Sequence, residues 1–107
     1  KLIQKIPAMM HENYGDVDLT LTRVADQFNL TPNYPSIFFK ENAHDTFLNY
    51  LTRLRLEEAK RLMRDTRLSI TEISERVGYA SANSFTRAFK KIEHVTPTQY
   101  RESSVHS

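Results

Sequence analysis

The chain has 107 residues, enough for one small domain with a modest core or for two very small units sharing an element. It has no cysteine, which excludes a disulfide framework and a cysteine-ligated zinc finger, and no apolar run approaches the roughly eighteen residues of a membrane span. The net charge of +2 is unevenly spread: residues 1–50 hold four Lys/Arg against six Asp/Glu, whereas residues 51–101 hold eleven against six. Positive potential therefore collects in the second half, which suits a polyanionic partner, although a basic face on a small domain can also simply be solvated.

Two glycines and four prolines in the whole length favour helices over a turn-rich β-sandwich. The opening, KLIQKIPAMMHENYG, carries Ile3, Ile6 and Met10 as a helical stripe, and Pro7 is expected to kink that helix or mark its start. The chain begins at Lys1 with no initiator Met and no signal-like segment, so it reads as a piece of a longer protein.

A first helix-turn-helix unit is expected over about 19–43. Leu21, Val24, Ala25 and Phe28 follow the i, i+3, i+4, i+7 rule, Thr20 is the natural N-cap, and Leu19 with Val24 has the spacing of a hydrophobic staple. Asn29 should end the helix in the left-handed region, and Thr31 with Pro32 at the first helical position opens the next. From about 47 to 64 runs TFLNYLTRLRLEEAKRLMRD, with Leu48, Leu51, Arg55, Ala59 and Leu62 on one stripe; a single linker helix of about 27 Å is predicted.

The second unit, about 68–93, repeats the first. Ile70, Ile73, Ser74 and Val77 form the stripe, Ser69 and Glu72 a capping box, Leu68 and Ile73 the staple, Gly78 the stop, and Ser81 the next N-cap. Thr96, Pro97 and Gln99 then cap a short closing helix, about 97–102. With one residue inserted near Ala80, residues 19–50 align with 68–100. Val24 meets Ile73, Phe28 meets Val77, Asn33 meets Asn83, Phe39 meets Phe89, Lys40 meets Lys90, His44 meets His94 and Tyr50 meets Tyr100. The chain is thus all-α, about seven helices, with one supersecondary unit present twice.

The stretch GYASANSFTRAFKK has two faces: Phe85, Ala88 and Phe89 at core spacing, and between them Asn83, Ser84, Thr86, Arg87 and Lys90, nearly all hydrogen-bond donors. Taken alone, such polar positions read as a solvated helix surface. The duplicated unit, the RLRLEEAKRLM linker, ITEISERVGY, FTRAFKK and VTPTQYR together resemble the DNA-binding domain of the AraC/XylS family of bacterial transcription regulators, over about residues 3–101.

That resemblance implies two second helices placed in successive major grooves of double-stranded DNA. It assigns Thr31, Asn33, Tyr34, Ser36, Ile37 and Lys40 in the first unit, and Ser81, Asn83, Ser84, Thr86, Arg87, Lys90 and Lys91 in the second, to the DNA surface. Within this set Arg87 suits a bidentate contact to guanine and Asn83 one to adenine, Thr31 and Ser81 would offer helix N-terminal N–H groups to phosphate, and Lys40, Lys90 and Lys91 would meet phosphates. Arg53, Arg55, Lys60, Arg61 and Arg64 on the linker are divided between phosphate and pairing with Glu57 and Glu58.

The sequence departs from the family pattern at four positions. Pro35 stands where members carry a large aliphatic residue, with Phe38 compensating in volume; Ile37 stands where Arg87 keeps the common basic residue; and His44 and His94 replace a glycine past each recognition helix, at a cost of about 1 kcal/mol for a left-handed non-Gly residue. His44 and His94 lie in different units and His11 and His106 have no ligand spacing, so no metal or cofactor is expected. Nothing pairs a nucleophile with a base, so an enzyme is not expected. The expectation is a cytoplasmic transcription regulator, an activator that also touches RNA polymerase, with a sensing or dimerising domain ahead of Lys1; the alternative is a helical protein-interaction module without DNA specificity.

Overall fold

The computed structural model describes residues 2–31, 34–38, 40–41 and 46–105, with Leu2, Ile3, Pro35, Ser36 and Val105 described by backbone alone. Among them are seven helices and no strand: α1 Leu2–Asn13, α2 Leu21–Gln27, α3 Tyr34–Phe38, α4 Phe47–Asp65, α5 Ile70–Arg76, α6 Ala82–Glu93 and α7 Pro97–Val105. α1 runs through Pro7 instead of starting at it, forgoing one bond to the carbonyl four residues earlier.

Local chemistry sets the helix ends. The side chains of Thr20, Thr46, Ser69 and Ser81 accept from the backbone N–H three residues on, and Ser69 and Glu72 close a reciprocal box at 3.1 Å each way. α2 and α5 end alike. Asn29 (φ 55°) and Gly78 (φ 100°) enter the left-handed region, and the next N–H, of Leu30 or Tyr79, reaches back to Ala25 or Ser74 at 2.8 and 2.9 Å. The sequence repeat is therefore a repeat of backbone geometry. His94 takes φ 67° after α6, as its glycine-like position predicts, whereas Pro32, Phe39 and His44 lie outside the described residues.

Two apolar clusters form, and α4 feeds both. Ile6, Met9 and Met10 of α1 pack with Leu19, Val24, Phe38, Phe47 and Leu51; Leu56, Ala59, Leu62 and Met63 pack with Ile73, Val77, Phe85 and Phe89. Leu48 corrects the predicted stripe, because it is 66% exposed. Phe47, one position earlier, takes the inward place at the start of α4, and a step of about 100° per residue turns Leu48 out. The molecule measures 46 × 23 × 21 Å, the shape expected of two small cores strung along one rod.

α7 closes the second core. Pro97 is fully buried, Tyr100 packs edge-on against Phe89 at 5.6 Å, and Arg101 donates to the Met63 and Thr66 carbonyls at 3.2 and 3.4 Å, capping the end of α4.

The helix-turn-helix surface as candidate DNA interface

α6 presents the clearest site. Phe85 and Phe89 are both fully buried, with ring centroids 5.8 Å apart, and Tyr79 extends the stack at 5.6 Å from Phe85. Burying each phenyl contributes about 1.5–3 kcal/mol, so the helix is held firmly by one face. The spacing i, i+3, i+4, i+7 then places Asn83, Thr86, Arg87 and Lys90 on another face; Asn83, Arg87 and Lys90 are exposed and Thr86 half-buried. Asn83, Thr86 and Arg87 line a shallow open depression. Lys91 is exposed beside it. Among the described residues no carboxylate pairs with Arg87, Lys90 or Lys91, which leaves three cations available to an external anion.

Ser81 and Ser84 play a more local part. The Ser84 N–H donates to Ser81 Oγ at 3.1 Å, the Ser81 N–H to Ser84 Oγ at 3.3 Å, and the Ser84 hydroxyl to the Ser81 carbonyl at 2.9 Å. Both side chains are thus engaged in the cap, and the N–H groups of Ala82 and Asn83 are the ones that the first helical turn leaves open.

The first unit offers a less basic counterpart. Its second helix is described over the five residues of α3, Tyr34–Phe38. Pro35 has no N–H for the Thr31 carbonyl, which instead accepts from Tyr34 at 3.0 Å, a tighter turn. Tyr34 and Ile37, 37% and 49% exposed, share one face, and exposed Lys40 follows in a wider π-type turn. Phe38 turns inward at 4% exposed. Thr31 is exposed; Asn33 and the Ser36 side chain lie outside the described residues.

Most linker cations are committed internally. Lys60 bonds Glu57 and Glu93 at 3.0 and 3.2 Å, Arg61 grips Glu58 with two nitrogens, and Arg64 donates to the Tyr100 hydroxyl at 3.0 Å. Arg61 holds the Glu58 carboxyl below the ordinary carboxylate range, and the Tyr14 hydroxyl adds to the effect. Arg55 answers neither expectation. It is 9% exposed, and its Nε and Nη2 donate to the Tyr14 and Asp16 carbonyls at 2.8 and 2.9 Å, while its guanidinium lies 5.4 Å from the centre of the Tyr79 ring. The sequence held one hint: Arg55 falls on the otherwise apolar stripe of α4.

Two helix pairs of this kind, each with a second helix that turns side chains outward, define a helix-turn-helix DNA-binding protein. A helix-turn-helix domain model matches residues 24–103. The C-terminal domain of AraT, a response regulator from Geobacillus stearothermophilus, superposes with a TM-score of 0.93 at 37% identity, covering 95% of this chain and 84% of that one. The xylose-binding transcription activator xylR matches at a TM-score of 0.73 and 29% identity, over 89% of this chain and 25% of that one. The HTH-type transcriptional regulator YijO of Escherichia coli is 34% identical over 94% of this chain and 35% of its own length. The chain belongs to the AraC/XylS family of bacterial transcription regulators and is a DNA-binding domain of that family, not a member of an enzyme family. It spans about a third or less of the curated relatives it matches first, 35% of YijO and 12% of YtdP of Bacillus subtilis. No described helix is long and apolar enough to cross a membrane.

Proposed function

We propose that the chain reads a specific double-stranded DNA site by inserting α3 and α6, the second helices of units at about 19–43 and 68–93, into successive major grooves on one face of the duplex. The observation that carries this is the division of α6: two fully buried phenylalanines fix it, while Asn83, Thr86, Arg87 and Lys90 share another face, and among the described residues no carboxylate pairs with Arg87 or Lys90. Arg87 reads a guanine through O6 and N7, Asn83 reads an adenine, and Thr86 touches a neighbouring edge. Lys90, Lys91 and Lys40 meet phosphates, the open N–H groups behind Ser81 do likewise, and exposed Thr31 offers its hydroxyl to the DNA backbone in the first unit. Ser84 supports this surface by closing the cap. In the first unit Tyr34, Ile37, Asn33 and Ser36 provide the groove contacts, with Ile37 suited to a thymine methyl.

The reach of the linker supports two grooves. The 19 residues of α4 extend about 28 Å, and a unit beyond each end reaches the roughly 34 Å of one DNA turn. The two units repeat head to tail, so a single chain should protect an asymmetric site. Footprinting with the single domain tests this: two contacted grooves about 10–10.5 bp apart are expected, and a short palindrome occupied only by a dimer would refute it. Affinity that fails to fall with salt would refute DNA binding itself and favour the protein-interaction module.

The regulator acts in the cytoplasm as an activator that contacts RNA polymerase; of this reading, the sign of regulation is supported by the relative described as a transcription activator. The short span relative to YijO and the response-regulator relative support a sensing domain N-terminal to this chain. A promoter reporter that falls when the full protein is supplied would reverse the sign of regulation.

A further inference from the structure

Gly15 and Gly78 are the chain's two glycines, 63 positions apart in sequence, and they meet at one place. A Cβ on Gly15 would lie 2.8 Å from the Arg76 carbonyl oxygen, and a Cβ on Gly78 would lie 2.3 Å from the Tyr14 carbonyl oxygen and 2.8 Å from Arg55 Nε. The turn after α1, which belongs to the first core, is therefore pressed backbone to backbone against the end of α5, which belongs to the second. Arg55 sits in the seam. Its guanidinium donates to the Tyr14 and Asp16 carbonyls of the turn after α1 and lies against the Tyr79 ring of the second unit. The Tyr14 hydroxyl adds a bond to Glu58 at 3.1 Å.

α4 alone would join the two units as a rod whose ends bend and twist under thermal motion. A second attachment, away from the helix axis, removes that freedom. A planar fork with two fixed donors suits the role, since it holds two carbonyls in one orientation, whereas an ammonium on a flexible stem holds neither direction.

We infer that Arg55, with Gly15 and Gly78, is a positioning device that fixes the angle and separation of α3 and α6 and so sets the spacing of DNA half-sites the protein accepts. The inference rests on the two-groove reading above. One base pair inserted between the half-sites moves the second groove by about 3.4 Å and rotates it by about 34°. A locked pair of units is intolerant of that change; a pair hinged on α4 follows it.

The test uses Arg55→Lys and Gly15→Ala. The second variant needs no unusual backbone angle at residue 15 and acts only by pushing the turn off Arg76. Binding is measured to the matched site and to sites with one base pair inserted or removed at the centre. Wild type should lose at least tenfold on either change, and both variants about threefold or less. Ile73→Val, which loosens the second core without touching the seam, should keep the wild-type ratio. A DNA-free readout runs in parallel: spin labels at exposed Thr22 and Glu75 should give a narrow distance distribution in wild type and a broadened one in both variants. Unchanged spacing discrimination together with an unchanged distribution in both variants overturns the inference. Failure of wild type to bind any duplex specifically, with the distribution still broadened by the variants, instead removes the DNA reading and leaves the clasp standing as a mechanical coupling only.

Discussion

Arg87→Ala isolates base reading from folding. Arg87 is exposed on α6 and has no carboxylate partner among the described residues, so its loss should leave thermal stability within about 0.5 kcal/mol of wild type. On the matched DNA site it removes a bidentate contact worth about 1–3 kcal/mol, a loss of roughly 5- to 150-fold in affinity. The loss belongs to one base pair. Fluorescence anisotropy on the matched site and on a set with each guanine replaced in turn should show that the variant no longer distinguishes one particular guanine, while its affinity for scrambled DNA falls much less. Ile37→Ala is the companion measurement. Ile37 is 49% exposed and stands at the equivalent place on α3, so trimming it should cost about 1 kcal/mol and only where a thymine methyl lies beneath it. A larger specific loss from Ile37→Ala than from Arg87→Ala would refute the dominance of α6, and an equal loss by Arg87→Ala on matched and scrambled DNA would make Arg87 a phosphate contact.

Lys90→Ala should weaken binding to all sequences alike and flatten the slope of log affinity against log salt by about 0.9; a loss confined to the matched site would assign it to a base instead. Leu51→Pro should cost about 3 kcal/mol or more, since Leu51 lies past the first turn of α4 and is 2% exposed; survival of both melting temperature and DNA affinity would contradict a continuous linker helix. The Glu58 carboxyl is held below its ordinary value in the folded chain, chiefly by Arg61, so its contribution is complete above about pH 4.3 and is lost as the pH falls through the lower folded value. Thermal melts should therefore be flat from neutrality to about pH 5 and fall below it, with a shallower fall in Glu58→Gln; a matching fall in the variant would place the acid sensitivity elsewhere.

What the chain's sequence determined alone is whatever depends on neighbours within a turn or two. The caps at Thr20, Ser69 and Ser81, the left-handed stops at Asn29 and Gly78, and the alternation of Phe85 and Phe89 with Asn83, Arg87 and Lys90 all act over one to seven residues. Spacing alone therefore reveals them, and the repetition of the whole set exposed the duplicated unit and its family. The tertiary structure decided which of two adjacent positions faces inward, as with Phe47 over Leu48, because that depends on where the partner helices lie. It also showed that Ser84 closes a cap, since a serine at the third helical position suits capping and base contact equally in sequence. Arg55 was legible only as an ill-fitting charge on an apolar stripe. Its carbonyl partners at Tyr14 and Asp16 lie 41 and 39 residues away, and no local pattern encodes a bond to a backbone oxygen that folding alone brings near. The same holds for the two glycines, whose shared reason, the close passage of two chain segments, exists only once both units are in place.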